Sequence, residues 1–219
     1  MLGMFITFEG IEGSGKSTQI RLLEGYVRGK GLPVVLTREP GGTTIGDEIR
    51  RVLLTPSSAH MDPIAELLLY EAARSQHIVE VIRPALAEGK VVLCDRYADA
   101  TTAYQGAARD IDMDVVMALH RIATGNLFPD LTVLIDCPVE WGLNHAVRRN
   151  RELDLAGSED RFEREAHEFH ERVRAGYLAI AKREPDRVKI VDGTRSIEDV
   201  HEDVLKIVEA SLGALCGKM

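Results

Sequence analysis

Residues 10–18 read Gly-Ile-Glu-Gly-Ser-Gly-Lys-Ser-Thr and follow directly on the apolar run Met4-Phe5-Ile6-Thr7-Phe8. A Gly-x-x-x-x-Gly-Lys-Ser element between a strand and a helix commits the chain to a phosphate-binding loop at the end of a sheet strand. Gly10, Gly13 and Gly15 let the backbone curl until successive N–H groups point inward at an anion. The helix that runs on through Gln19 to Tyr26 offers its positive N-terminal end to the same charge. Gly10, Ile11, Glu12, Gly13, Ser14, Gly15, Lys16, Ser17 and Thr18 are therefore expected to wrap the phosphates of a nucleoside triphosphate. Lys16 is placed for the β- and γ-phosphates, and the Ser17 hydroxyl for Mg²⁺.

The rest of the chain repeats the strand-then-helix rhythm. Near-continuous apolar runs at Met4 to Phe8, Pro33 to Thr37, Val91 to Cys94, Leu131 to Ile135 and Val188 to Val191 read as strands covered on both faces. Segments long enough for crossover helices separate them, so the expected fold is α/β, a doubly wound parallel five-stranded sheet with helices on both faces. No linker or repeat divides residues 1–219, which read as one domain. Phe162, Ala166, Phe169, Val173, Tyr177 and Ile180 step at helical spacing, as do Ile197, Val200, Val204 and Ile207 behind Ser196 as N-cap. Ile64 to Tyr70 is apolar nearly all round, which suits a helix buried in the core or against another subunit.

Composition narrows the setting. A net charge of −8 argues against a nucleic-acid-binding surface, although a small basic cleft can sit on an acidic body. No apolar run approaches membrane-spanning length and no signal peptide precedes the first strand, so a soluble cytoplasmic protein is expected. Cys94 and Cys137 end apolar runs and, with Cys216, have no metal-ligand spacing; buried free thiols fit a reducing compartment.

Polar clusters follow two strands. Thr37-Arg38-Glu39-Pro40-Gly41-Gly42-Thr43 ends the second, and Cys94-Asp95-Arg96-Tyr97 ends the third, with Thr101-Thr102-Ala103-Tyr104-Gln105-Gly106 just beyond. Ligand crevices of open parallel sheets lie outside these carboxyl ends. An arginine at each of two strand ends, facing a phosphate loop, points to a second anionic ligand. A hydrolytic switch positions only water, and the guanine-reading Asn-Lys-x-Asp motif of such switches is absent. A polar, aperiodic stretch beginning Arg148-Arg149-Asn150-Arg151 and running to about residue 160 reads as a mobile flap that could bring arginines to a phosphoryl group in transfer.

Taken in order, FITFEG with the loop, TREPGGT, LLLYEAAR, VVLCDRY, AYQG, FPDLTVLID and DRFE resemble the thymidylate kinase family over essentially the whole chain. The resemblance is to the bacterial branch, whose phosphate loop lacks a basic residue between its glycines and whose arginines sit in the flap; Ile11, Glu12 and Ser14 match that pattern. It implies a P-loop nucleoside monophosphate kinase that takes ATP as phosphoryl donor, dTMP as acceptor and Mg²⁺ as cofactor, and acts as a homodimer. Arg96 and Arg50 would clasp the monophosphate, with Arg38 and Glu39 over the sugar and phosphates. Glu12 and Glu39 are candidates for the sugar hydroxyl or the metal shell. Tyr70, where the family commonly has Phe, would stack on the base, and Arg74, Thr101 and Gln105 would meet its edge.

Lys16, Arg96 and one of Arg148, Arg149 and Arg151 would carry the catalytic charge; the spacing leaves open which of the three arginines acts. Asp95 follows an apolar strand, the usual place for a carboxylate serving Mg²⁺ beside Ser17. Asp136 is expected near the adenine side or as a helix cap, Glu163 is a further metal candidate, and Trp141 is read as packing. His167 and His170, at i and i+3 with no third ligand nearby, read as surface histidines.

Overall fold

The computed structural model describes residues 3–152, 161–162 and 165–216. Strands β1 (Met4–Glu9), β2 (Val34–Arg38), β3 (Val91–Asp95), β4 (Leu131–Asp136) and β5 (Val188–Asp192) form a parallel sheet in the order β2-β3-β1-β4-β5. Each expected strand is present to within one residue at either end. Register places Phe8 and Arg38 both opposite Asp95, so the loops after β1, β2 and β3 leave the sheet side by side.

The period of two sorts side chains between two helical layers. Met4, Ile6, Phe8, Leu93, Val133 and Ile135 pack toward α1 (Lys16–Gly29) and α9 (Ile197–Cys216). Phe5, Val92 and Cys94 face the opposite layer, where they meet Ile78, Ile82 and Tyr97. That layer contains α3 (Pro63–His77), which runs through wide π-helical turns at Ile78–Ile82 into α4 (Arg83–Ala87). It also contains α5 (Ala98–Thr101), which passes into a π-helical stretch over Thr102–Ala108, and α8 (His167–Arg183). π-helical turns re-aim side chains, and here they carry Tyr104 and Gln105.

Local chemistry sets the helix starts. Thr43 accepts from the Gly46 N–H to cap α2 (Thr44–Leu54), and Asp62 accepts from Ile64 and Ala65 to cap α3, with Pro63 in the first turn. Ser196 accepts from Asp199 at the start of α9, as expected. α6 (Met113–Thr124) ends on Gly125 in the left-handed conformation.

Two expectations change. α8 begins at His167, with Phe162 and Ala166 ahead of it, although Phe162 is buried with Phe169, Val173, Tyr177 and Ile180. The arginine-rich stretch is also not irregular at its start: α7 (Val139–Glu152) continues through Arg148, Arg149 and Arg151. Arginine and glutamate are good helix formers, so a polar run can simply be an exposed helix end. Residues 153–160 of the expected flap lie outside the described residues, as do Glu163 and the side chains of Arg149 and Arg151.

α7 is held against the phosphate loop by a close backbone approach. A Cβ on Gly142 would lie 2.6 Å from the Glu12 carbonyl oxygen, and one on Gly13 1.9 Å from that of Gly142. Gly142→Ala is expected to destabilise the fold by about 2 kcal/mol or more and to weaken ATP binding, since backbone has to shift. Gly25→Ala in α1, where a Cβ meets nothing within 4 Å, is the control and should stabilise slightly through helix propensity. Chemical denaturation of both variants with ATP titration checks this; equal stabilities would show that the contact is slack.

Candidate active site

A cavity of about 300 Å³ lies at the carboxyl ends of β1, β2 and β3. The loop contributes Glu12, Gly13, Lys16 and Ser17; the end of β2 contributes Arg38 and Glu39, and α2 contributes Arg50. Tyr70 and Arg74 enter from α3, Asp95 and Arg96 from the end of β3, and Thr101 and Gln105 from α5 and the π-helical turns. Gly10, Ile11, Ser14, Gly15 and Thr18 complete the loop without lining the cavity, and Arg148 stands apart on α7. The lining carries Lys16, Arg38, Arg50, Arg74 and Arg96 against Glu12, Glu39 and Asp95, a cationic cleft in an acidic chain.

At the phosphate end Lys16 is buried and curls back onto its own loop, donating to the carbonyls of Gly10 at 2.9 Å and Ile11 at 2.6 Å and to Ser14 Oγ at 3.3 Å. Burial pushes its ammonium down to about 8, with Arg96 adding to the effect and Asp95, Glu12 and Glu9 opposing it. Ser17 Oγ donates to Asp95 Oδ2 at 2.8 Å. Two oxygens side by side at the loop mouth suit Mg²⁺, which takes few protein ligands and completes its shell from phosphate and water. No cluster of three or more ligating side chains occurs among the described residues.

Arg96 sits where the loop, β3 and α8 meet. Its Nη2 donates to Glu12 Oε1 at 3.1 Å, its Nη1 to the Tyr177 hydroxyl at 2.9 Å, and its guanidinium lies 5.0 Å from the centre of the Tyr104 ring. Burial acts to raise the Glu12 carboxyl, but Arg96 foremost, with His170 and Lys16, holds it well below the usual range. Tyr104 also donates to Glu12 Oε1, at 2.5 Å. The Arg96 backbone adopts φ 71°, a conformation side chains rarely take, and is tied by its N–H to the Phe8 carbonyl at 3.0 Å.

The far end is a wall of paired polar groups. Arg74 is held by Glu39 and Glu71 and donates to Thr101 Oγ1 at 2.9 Å. Gln105 donates to Glu66, which also pairs with Arg161. The Tyr70 ring is 6.5 Å from that of Phe162, which also lines the cavity. Arg50 donates to the Pro40 carbonyl at 3.1 Å, and Arg38 is exposed beside Asp47.

Several expectations are corrected or refined here. His170 is fully buried, its Nδ1 3.5 Å from Glu12 Oε2, because α8 turns that side toward the loop; His167 is exposed. Asp136 forms a two-pronged pair with Arg174, 2.8 Å in both contacts. Trp141 packs against His145. Cys94 and Cys137 are buried thiols. Tyr104, Tyr177, Glu66 and Phe162 were not singled out for the site, although AYQG and DRFE contain two of them.

A phosphate loop facing an arginine-lined acceptor cavity at the strand ends of a parallel five-stranded sheet defines a P-loop nucleoside monophosphate kinase. Comparison with known proteins narrows the class. The family model described as Thymidylate kinase matches residues 8–204. The thymidylate kinase of Geotalea daltonii is 50% identical over 216 residues, 99% of this chain and 100% of the relative. That of Syntrophotalea carbinolica is 53% identical over 199 residues, 91% of this chain and 92% of the relative. The crystal structure of thymidylate kinase from Ehrlichia chaffeensis superposes with a TM-score of 0.75 at 37% identity, covering 94% of this chain and 98% of that one. The chain belongs to the thymidylate kinase family, whose members are ATP-dependent nucleoside monophosphate kinases.

Glu9 is fully buried at the end of β1, beside Arg96. Burial and the nearby Asp99 raise its carboxyl to about 8, against the pull of Arg96 and of hydrogen bonds from Tyr177 and the Tyr97 N–H. A carboxyl raised on folding contributes stability that is complete below its unfolded value, near 4.5, and is lost as pH rises through about 8. Urea unfolding of the ligand-free protein from pH 4.5 to 8 should therefore show stability falling across that window, and Glu9→Gln should flatten the fall. An unchanged slope in Glu9→Gln would mean that Glu9 is ionised in the fold.

Proposed function

We propose that this kinase transfers the γ-phosphoryl group of ATP to dTMP, giving dTDP and ADP for dTTP synthesis. The observation that carries this reading is the cavity: a phosphate loop at one end, arginines at two strand ends, and a closed polar wall beside an aromatic ring at the other. Phosphoryl transfer between two anions requires positioning and charge neutralisation, with little covalent work for side chains.

Lys16 and the loop N–H groups hold the ATP phosphates. Ser17 and Asp95 would hold Mg²⁺, which would supply positive charge against the phosphate oxygens. Arg96 and Arg50 orient the acceptor phosphate, which competes with Glu12 for the Arg96 guanidinium. Tyr70 stacks on the base while Arg74, Thr101 and Gln105 present its edge with hydrogen-bonding groups. Arg38 and Glu39 border the sugar and phosphate region; with both its oxygens engaged by Arg74 and His77, Glu39 serves chiefly to orient Arg74. The acceptor phosphate is already nucleophilic, so no general base is needed. The loop has no arginine of its own, and at least one of Arg148, Arg149 and Arg151 supplies charge to the group in transfer. Residues 1–219 act as one kinase domain, with the segment about 148–160 as its flap.

ATP turnover with dTMP, dUMP, dCMP, dGMP and dAMP tests the reading directly, dTMP being expected to be best and Mg²⁺ to be required. Arg96→Ala should lower turnover by about 10²-fold or more and weaken dTMP binding, whereas replacing all three α7 arginines by Ala should lower kcat similarly with dTMP affinity kept. Better turnover of dCMP or a purine monophosphate would sink the thymidylate reading and leave the kinase class standing.

The working form is a homodimer. α2, α3 and α6 lie side by side, and each exposes aliphatic side chains on one of its faces: Ile45 and Val52, Ile64 and Leu68, Val115 and Ile122. Sedimentation should give a dimer, and Leu68→Glu with Ile122→Glu a folded monomer; a monomeric parent protein would refute the assignment. No helix among the described residues is long and apolar enough to cross a membrane. The buried thiols Cys94 and Cys137 support a cytoplasmic location.

A further inference from the structure

Arg74 is 1% exposed, yet it lines the cavity, and its guanidinium is almost fully committed. Nε donates to Glu39 Oε2 at 2.8 Å, and Nη1 to Glu71 Oε1 at 2.5 Å. Nη2 donates to the Tyr97 carbonyl at 3.1 Å and to Thr101 Oγ1 at 2.9 Å. An arginine has five N–H donors, so among the described residues these contacts leave one, on Nη1. That donor can meet an acceptor on a base and not an amino group. Its direction depends on whatever holds Nη1, and Nη1 is held by Glu71.

Glu71 does not line the cavity. Its Oε2 is buried without a hydrogen-bond partner among the described residues, so Oε1 anchors the carboxylate by itself. Oε1 receives Arg74 Nη1 from one side and His120 Nδ1, at 2.8 Å, from the other. Burial acts to raise the Glu71 carboxyl, and Arg74 with His120 more than reverses this, keeping it below its usual range. His120, on α6, is 1% exposed, and its Nε2 is fixed in turn by Thr102 Oγ1 at 3.0 Å. Nδ1–H given to the carboxylate leaves Nε2 against the threonine hydroxyl, whose single proton is shared with the Ala98 carbonyl at 3.2 Å. Glu39 is held in the same manner on the other flank, by His77 Nδ1 at 3.0 Å, with His77 Nε2 against Thr37 Oγ1.

We infer that Glu71 and His120 are positioning residues for base selection: from outside the cavity they fix the Arg74 guanidinium so that a single N–H faces the base and admits a carbonyl oxygen where an amino group would be rejected. The inference rests on the reading of Arg74 as a base contact. An ion pair serving stability alone would leave the choice between acceptors untouched. A clamp sets that choice, because a guanidinium free to turn can offer or withdraw a donor at the same place.

The test compares dTMP with dCMP, which carries an amino group in place of a ring carbonyl, in the wild type, His120→Leu, His120→Asn, Arg74→Met and Arg74→Met/His120→Leu. In His120→Leu the dTMP KM should rise about tenfold and the dTMP-over-dCMP ratio of kcat/KM should fall about tenfold, with the ATP KM and saturating kcat kept within about twofold. His120→Asn retains an N–H donor near the place of Nδ1 and should recover most of the selectivity. In the Arg74→Met background the histidine change should add nothing, since the group it positions is gone. Loss of selectivity in Arg74→Met but not in His120→Leu would overturn the clamp alone. Wild-type selectivity in Arg74→Met would overturn the reading of Arg74 on which the clamp rests. Should His120→Leu not fold, Glu71→Gln carries the same comparison, and undiminished selectivity there overturns the inference.

Discussion

Most of the site is organised around the ion pair between Arg96 and Glu12. It joins the phosphate loop to the end of β3, and through Tyr177 and Tyr104 it joins both to α8 and the π-helical turns. Taking both charges out of water is costly, and the attraction repays it only when the remaining donors and acceptors are also satisfied. The surroundings meet that condition unevenly. Arg96 is well supplied, by Tyr177, Glu12 and the face of the Tyr104 ring. Glu12 Oε2 has no hydrogen-bond partner among the described residues, and the nearest imidazole nitrogen stands 3.5 Å away. An arrangement of this kind adds little to stability and much to readiness. On the proposed function, a phosphate dianion would offer Arg96 a stronger, two-pronged partner than the single carboxylate oxygen of Glu12.

The backbone at Arg96 fits the same logic. A non-glycine residue at positive φ costs on the order of 1–3 kcal/mol and persists only where its surroundings over-determine it. Here the Arg96 N–H is bonded to Phe8, the Tyr97 N–H to Glu9 Oε1 at 2.7 Å, and Cys94 Sγ donates to the Arg96 carbonyl at 3.0 Å. The first two lock the turn after β3 to the end of β1 and the third closes the turn on its own strand, so that the arginine projects over the phosphate loop. Glu9 takes part as a buried carboxyl, which explains why an ionisable residue closes this buried strand.

What could be read from the sequence was whatever depends on neighbours in the chain. The strands declare themselves because a two-sided parallel sheet needs unbroken apolar runs, and the loop because its glycines and Lys16 act within one turn. The clusters after β2 and β3 could be placed at one crevice because strand order and crossover rules leave few alternatives. Contacts made across the fold left no local trace. His170 looks like a surface histidine until α8 is laid against the loop, and His120 and Glu71 lie 49 residues apart. The arginine-rich end of α7 misleads for the opposite reason: its polarity reads as irregularity, whereas backbone propensity favours helix there.

The two ends of the cavity are built from different materials, and that difference has consequences for what the protein can change. At the phosphate end the determinants are backbone N–H groups, strand-end side chains and a close glycine contact, all fixed by the sheet and tolerant of little substitution. At the base end they are helix side chains backed by Glu39 in the cavity wall and by Glu71, His77 and His120 behind it. In a buried polar chain of this kind any lost partner strands a charge in low dielectric, and Glu71 Oε2 is already without a hydrogen-bond partner among the described residues. Small departures there, such as Tyr70 with its added hydroxyl, keep the ring face while altering what the rim can bond. On the proposed function, phosphoryl chemistry is thus anchored in the geometry of the sheet ends, and acceptor choice in helix side chains whose directions are held from behind.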